Sequence, residues 1–184
     1  AAAAYLYAAL GEAFGQRAGV YNLGVDGIML MGAFSGFYAV YSGLPPQTAV
    51  LVAGLVGAGM GLIMAFSSVT LRAEQGISGI GLYMLGLGLS TLLFETLVES
   101  PVPVRGFDKV AIPVLSSIPL IGNILFNQNV MVYGAFLMVP IGWFVLNKTT
   151  LGLNIRAAGQ NPQAADSLGV NVSRVRYLTL LFGG

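Results

Sequence analysis

The sequence contains no cysteine and no histidine, and only 8% of its 184 residues are charged. Without cysteine there are no disulfides, no thiolate nucleophile and no sulfur ligands for zinc. Without histidine the commonest general acid–base group is missing as well. The low charge count bears on the surrounding solvent. Soluble domains carry about 25% charged residues. At 56% hydrophobic residues and a mean hydropathy of +0.82, this chain could not cover a water-facing surface. It reads as a membrane protein. A net charge of +1, without basic patches interleaved with aromatics, gives no reason to expect nucleic acid as a partner.

Glycine is abundant instead, at 26 residues, roughly twice its average share. In membranes small residues let helix backbones approach closely, so a glycine-rich helical bundle is expected. Residues 1–14 are apolar but short for a span, and there is no basic stretch ahead of them to make a signal peptide. The AAAA start and LLFGG end look like cut edges, so we expect a fragment of a longer protein.

Residues 15–27 (GQRAGVYNLGVDG) interrupt the apolar pattern with Gly19, Gly24 and Gly27 around Asn22 and Asp26. The apolar run from Gly27 to Tyr41 would extend only about 22 Å as a helix, against a hydrocarbon core of roughly 30 Å. Either the span borrows from the preceding glycines, or the segment is broken or re-entrant. Such short, glycine-interrupted segments point to a transporter's midplane site. The plainer alternative is a cytoplasmic turn with Asp26 capping the next helix.

Thr48–Thr70 is long enough to span, and Ala53, Gly57 and Gly61 give it a small-xxx-small face. Its GAGMG cluster lacks the Lys-Ser/Thr of a phosphate loop and reads as packing. Ile77–Leu97 is the next span. Its small and polar residues, Ser78 included, suit a pathway lining or helix–helix contact. Residues 98–128 hold half the prolines and are expected at the membrane surface or partly dipping into it. Val130–Leu146 spans, with Pro140 as a kink and Trp143 as an interface anchor. The fold class is therefore all-α, a polytopic transmembrane bundle of about five to six spans.

The longest polar interval, 148–176, holds four of the eight basic residues against one acid, Asp166. Placing it in the cytoplasm puts six basic residues inside and two outside, in keeping with the positive-inside rule. Within it, Asn161 is a good N-cap, Pro162 suits the first helical position and Gly169 suits the left-handed position past the end. The helix between has about seven residues, too short to stand alone in water. A face of Ala164, Ala165 and Leu168 is expected to be exposed for a docking partner. Asn171 or Ser173 would cap the following helix. The bland alternative is a solvated loop. The sequon Asn171-Val172-Ser173 lies on the cytoplasmic side in this topology and is not a glycosylation site.

These residues resemble a known family. QAADSLG (163–169) is similar to the EAA…G signature of importer-type ABC transporter permeases, with Gln163 in the Glu position. RAAGQNPQAADSLGV (156–170) and GQRAGVYNLGVDGIMLMGA (15–33) look like two hallmarks of the simple-sugar/nucleoside and branched-chain amino-acid branch, and EQGISGIGLYMLGLGLS (74–90) is a weaker third. Gln160 and Gln163 stand where acids are expected. The resemblance implies a permease subunit of a bacterial ABC importer, multi-pass in the inner membrane. It would have no ATP site, catalytic residue, cofactor or metal of its own. Its partners would be an ABC ATPase subunit, an extracytoplasmic solute-binding protein, a second permease copy or paralogue, and the lipid bilayer. The coupling helix to the ATPase would use Asn161, Pro162, Gln163, Ala164, Ala165, Asp166, Leu168 and Gly169. Asn22, Asp26 and Ser78 would line the translocation path of a nucleoside or simple sugar. A motorless secondary transporter or channel is the alternative. It shares the broken segments but gives no reason for the docking helix.

Overall fold

The computed structural model describes residues 2–98, 103, 109–111 and 127–184. Eight α-helices follow in order: α1 Ala2–Arg17, α2 Val25–Tyr41, α3 Pro46–Ala65, α4 Gln75–Leu97, α5 Val130–Lys148, α6 Thr150–Gln160, α7 Pro162–Ser167 and α8 Val172–Gly183. Strands β1 (Lys109–Ala111) and β2 (Asn127–Asn129) form a small antiparallel ribbon. Most of the expected surface segment, 98–128, lies outside the described residues.

Among the described residues, three stretches are long and apolar enough to cross a membrane: Pro46–Thr70, Gln75–Leu97 and Val130–Lys148. They correspond to three of the five to six spans expected, those at 48–70, 77–97 and 130–146. The shorter apolar helix α2 starts at Val25, two residues before the expected run, and its 17 residues leave it outside the stretches long enough to cross. Pro140 sits inside α5, and Trp143 is exposed with the Lys148 ammonium 5.9 Å from its ring centroid. One unforeseen feature extends α3. Residues Phe66–Thr70 widen into a π-helical turn, closed by Leu71 N donating to the Phe66 carbonyl.

The helices meet through glycine. Gly57 and Gly61 of α3 abut the backbone of α8 at Gly184 and Leu180, while Ala53 faces Gly36 of α2. The small-residue face is therefore split between two neighbours. Gly11 of α1 meets Gly183 of α8. Val20, Ile28, Met31, Met60, Met64, Leu82 and Leu180 fill the space between.

The caps follow the local chemistry. Glu74 caps α4, accepting from Ile77 N at 2.7 Å and Gly76 N at 3.0 Å. Those two bonds, Ile77 first, hold its pKa below the ordinary carboxylate value. The folded pKa is lowered, so the cap contributes stability above the ordinary carboxylate range. That contribution is lost as pH falls through the lowered value. We expect amide exchange at Gly76 and Ile77 to accelerate on acidification across that window. Glu74→Gln should flatten the pH response; an unchanged profile would show that the carboxylate does not hold the cap.

Candidate functional site

The polar interval after α5 folds almost entirely as helix. Thr149 links α5 to α6: its Oγ1 donates to Val145 O at 2.6 Å and accepts from Gly152 N at 3.2 Å. Helix α6 buries Gly152, Ile155 and Ala158 against the bundle. The sequence reading had not separated α6 from loop. Asn161 then ends one helix and starts the next. Its backbone N–H donates to Ala157 O, and its Oδ1 accepts from Ala164 N at 3.0 Å. Pro162 opens α7, as its missing N–H allows.

At the far end, Gly169 has φ +85°. Val170 N donates to Ala165 O and Gly169 N to Asp166 O, the paired bonds of a Schellman motif. Asn171 caps α8 through Arg174 N at 2.9 Å. A six-residue helix held at both ends is thus presented in a fixed orientation.

Its faces need one correction. Ala165, expected on the docking face, is only 3% exposed and packs into the protein. The short helix finds its inner support within its own chain. Gln163, Ala164, Asp166 and Leu168 remain exposed, Leu168 at 85%. The outward face is therefore Ala164 and Leu168, bordered by Gln163 and Asp166.

Helices α6 and α8 also hold the connection between α1 and α2. Arg176 Nε donates to Ala18 O at 3.3 Å. Gly19, at φ +78°, lies against Gly159 of α6. Arg156 of α6 has its Nε buried without a hydrogen-bond partner. The π-helical end of α3 joins the same region through the Thr70–Tyr177 hydroxyl contact. Arg17 and Arg176 therefore both lie at this junction.

The connection itself, residues 18–24, turns every second residue inward: Ala18, Val20, Asn22 and Gly24 are buried. Asn22 Oδ1 accepts from Gly24 N at 3.0 Å, and its own N–H donates to Glu12 Oε1 at 3.2 Å. Tyr21 N donates to Gln75 Oε1 at 2.9 Å. Beyond it α2 and α4 run side by side. A Cβ on Gly24 would stand 2.9 Å from Gly79 O, and one on Gly27 would stand 2.6 Å from Tyr83 Cα. Farther along, Leu30, Phe34 and Phe37 of α2 and Ser90, Thr91 and Phe94 of α4 line an open surface groove of about 360 Å³, and the Phe37 and Phe94 rings meet at 5.8 Å.

The residues expected along the path sit around the contact of Leu23 and Gly24 with Gly79, away from the groove. Asn22 is buried and spends its amide oxygen on its own turn. Asp26 is exposed in the first turn of α2, whose cap is Gly24, so it is not the helix cap. A carboxylate there still meets the favourable end of the helix dipole. Ser78 is half-buried in the first turn of α4. None of the three lines the groove. Sequence reasoning missed Phe34, Phe37 and Phe94. The signal was present on α2, where Phe34, Phe37, Tyr38 and Tyr41 recur at helical spacing and stack in pairs. Among the described residues no cluster of potential metal ligands occurs.

A family model described as branched-chain amino acid transport system / permease component matches residues 1–184. The chain is 35% identical to the guanosine ABC transporter permease protein NupQ of Bacillus subtilis, over all of this chain and 60% of that protein. It is 32% identical to the nucleoside ABC transporter permease protein NupC of Lactococcus lactis, over 97% of this chain and 59% of that protein. The galactose/methyl galactoside import permease protein MglC of Escherichia coli is 30% identical over 70% of this chain and 37% of its own length. The chain thus spans about six-tenths of the first two relatives. No solved structure matches. A glycine-packed membrane bundle, two of whose sequence hallmarks meet where Gly19 lies against Gly159, is matched by the family along its whole length: the chain belongs to the branched-chain amino acid transport system permease component family.

Proposed function

We propose that this chain is the membrane core of a permease subunit in an ABC importer of the cytoplasmic membrane, carrying a nucleoside or simple sugar. The observation that carries the reading is α7, a short helix capped at both ends with Ala164 and Leu168 turned outward. So short a helix gains little for the fold by exposing a leucine. A groove on a separate ATPase would cover that face. ATP-driven closure of two ATPase subunits would then move two permease copies, or a permease and its paralogue. A ligand or motor shifts such an equilibrium only through differential contact in the two states. A solute-binding protein would deliver the solute at the opposite end. The relatives named for guanosine, nucleosides and galactoside support the polar solute class.

The full-length protein, reconstituted with its ATPase and binding protein, tests this by uptake of labelled guanosine and galactose. Uptake of one class that requires ATP is expected. Full uptake without ATP would favour the motorless channel. Asp26→Ala should lower uptake about tenfold while the ATPase still copurifies, because an exposed carboxylate at the inner mouth is available to a polyhydroxyl solute. Unchanged uptake would return Asp26 to a helix-dipole role alone.

A further inference from the structure

We propose that the turn 18–24 is a strut that carries movement of the coupling segment to α4, with Gln75 as its positioning residue. The proposal rests on the coupling role of α7 given above. The strut has a foot at each end. On the coupling side, Arg176 of α8 holds the Ala18 carbonyl, and the backbone of Gly159 in α6 presses on Arg17 and Gly19. A Cβ on Gly159 would collide with the Arg17 carbonyl oxygen, so the two backbones are in contact without an intervening side chain.

On the transport side, Tyr21 N donates to Gln75 Oε1 at the first residue of α4. One turn later Leu23 meets Gly79, with 2.8 Å between the Leu23 Cβ and a Cβ built on the glycine. Gly24 rests on Leu82 at the same close range.

Between the feet the turn is stiff. Asn22 is 6% exposed, and its side chain closes the turn on Gly24. Its N–H is anchored to Glu12 of α1, and Val20 N donates to Gly15 O. Backbone-to-backbone contacts cannot yield by a rotamer change as side chains do. A displacement of α6 and α8 is therefore passed to the start of α4 rather than absorbed. From there α4 runs directly to Ser90, Thr91 and Phe94 in the groove wall. In this scheme Asn22 stiffens the strut and need not touch solute.

The Tyr21–Gln75 bond is the joint that can be cut without touching the packed backbone, because Gln75 is only half-buried. The experiment uses the full-length permease with its ATPase and binding protein in lipid nanodiscs or vesicles. It reads ATPase copurification, ATP hydrolysis, and solute taken up per ATP. Gln75→Ala should retain the ATPase and hydrolyse ATP at no less than the unmodified rate. Uptake per ATP should fall at least fivefold. Gln75→Glu keeps an acceptor for Tyr21 N and should recover to within twofold. Gly159→Ala, which wedges the other foot at a cost in stability, should give the same split between hydrolysis and uptake in the fraction that size exclusion recovers folded.

Unchanged uptake per ATP in Gln75→Ala overturns the strut. So does a Gln75→Glu variant as poor as the alanine, since the side chain would then matter for something other than accepting that bond. If Gly159→Ala instead sheds the ATPase, the α6 foot belongs to docking and the strut as described is wrong. Absence of ATP-linked uptake in the unmodified complex is a separate result: it refutes the importer reading before any variant is compared.

Discussion

Gly86→Val is expected to abolish most transport and to lower the melting temperature of the purified permease. A Cβ on Gly86 would stand 2.6 Å from the Gly27 carbonyl carbon and Cα, and nearer still to its oxygen. Reciprocally, one on Gly27 would stand 2.6 Å from Tyr83 Cα. Real Cβ atoms do not come so close, and neither neighbour is a movable side-chain tip. The whole of α2 would have to shift. Overpacking a well-filled interior costs about 1–3 kcal/mol and occasionally more; a backbone obstacle belongs at the upper end. In a bilayer the consequence is sharper. Helix association there depends on close packing, because lipid tails are as apolar as the side chains they replace. Gly88→Val is the control, since a Cβ at Gly88 meets nothing within 4 Å. Thermal unfolding in detergent and solute uptake should separate the two variants. Equal behaviour would mean that the α2/α4 crossing is looser than its geometry.

That crossing also shows where sequence reasoning reaches its limit. The glycines of 15–27 and 77–97 announce that some backbone approaches closely there. They do not say which, and Gly27 facing Gly86 is a fact of tertiary structure. The spans themselves were legible, because 18 or more apolar residues in a row have few other uses. So were the ends of α7, because Asn161, Pro162 and Gly169 act through bonds a few residues away. Helix α6 was hidden by Gly152 and Gly159, which argue against helix locally. Both are required by contact, Gly152 against Val145 and Leu146, Gly159 against Arg17. The π-helical turn at Phe66–Thr70 left no recognisable signal. The groove was hidden for a different reason: aromatic residues in an apolar helix are equally suited to lipid, a neighbour or a solute.

Ala165 and Leu168 supply the other large expected effect, and together they separate folding from docking. Ala165→Arg should damage the permease itself. The site is 3% exposed, and the residue's carbonyl holds Val170 N in the turn that ends α7. A guanidinium there must force α7 off the bundle or go into it unpaired. Either cost exceeds about 2 kcal/mol. Less folded permease should be recovered by size exclusion even when no ATPase is present. Leu168→Arg should behave in the opposite way. The leucine side chain is 85% exposed and supports little of the fold, so the isolated permease should unfold within about 0.5 kcal/mol of the unmodified protein. On the importer reading, ATPase binding should nonetheless be lost, with affinity in a pull-down reduced at least tenfold. If Leu168→Arg retains the ATPase at full strength, the Ala164–Leu168 face is not where the motor sits. The importer reading would then have to find its coupling contact elsewhere on the chain. If both variants shed the ATPase but only Ala165→Arg loses its fold, α7 is built with one side for the bundle and one for the motor. Six residues suffice for that, because the caps at Asn161 and Gly169 fix which side is which.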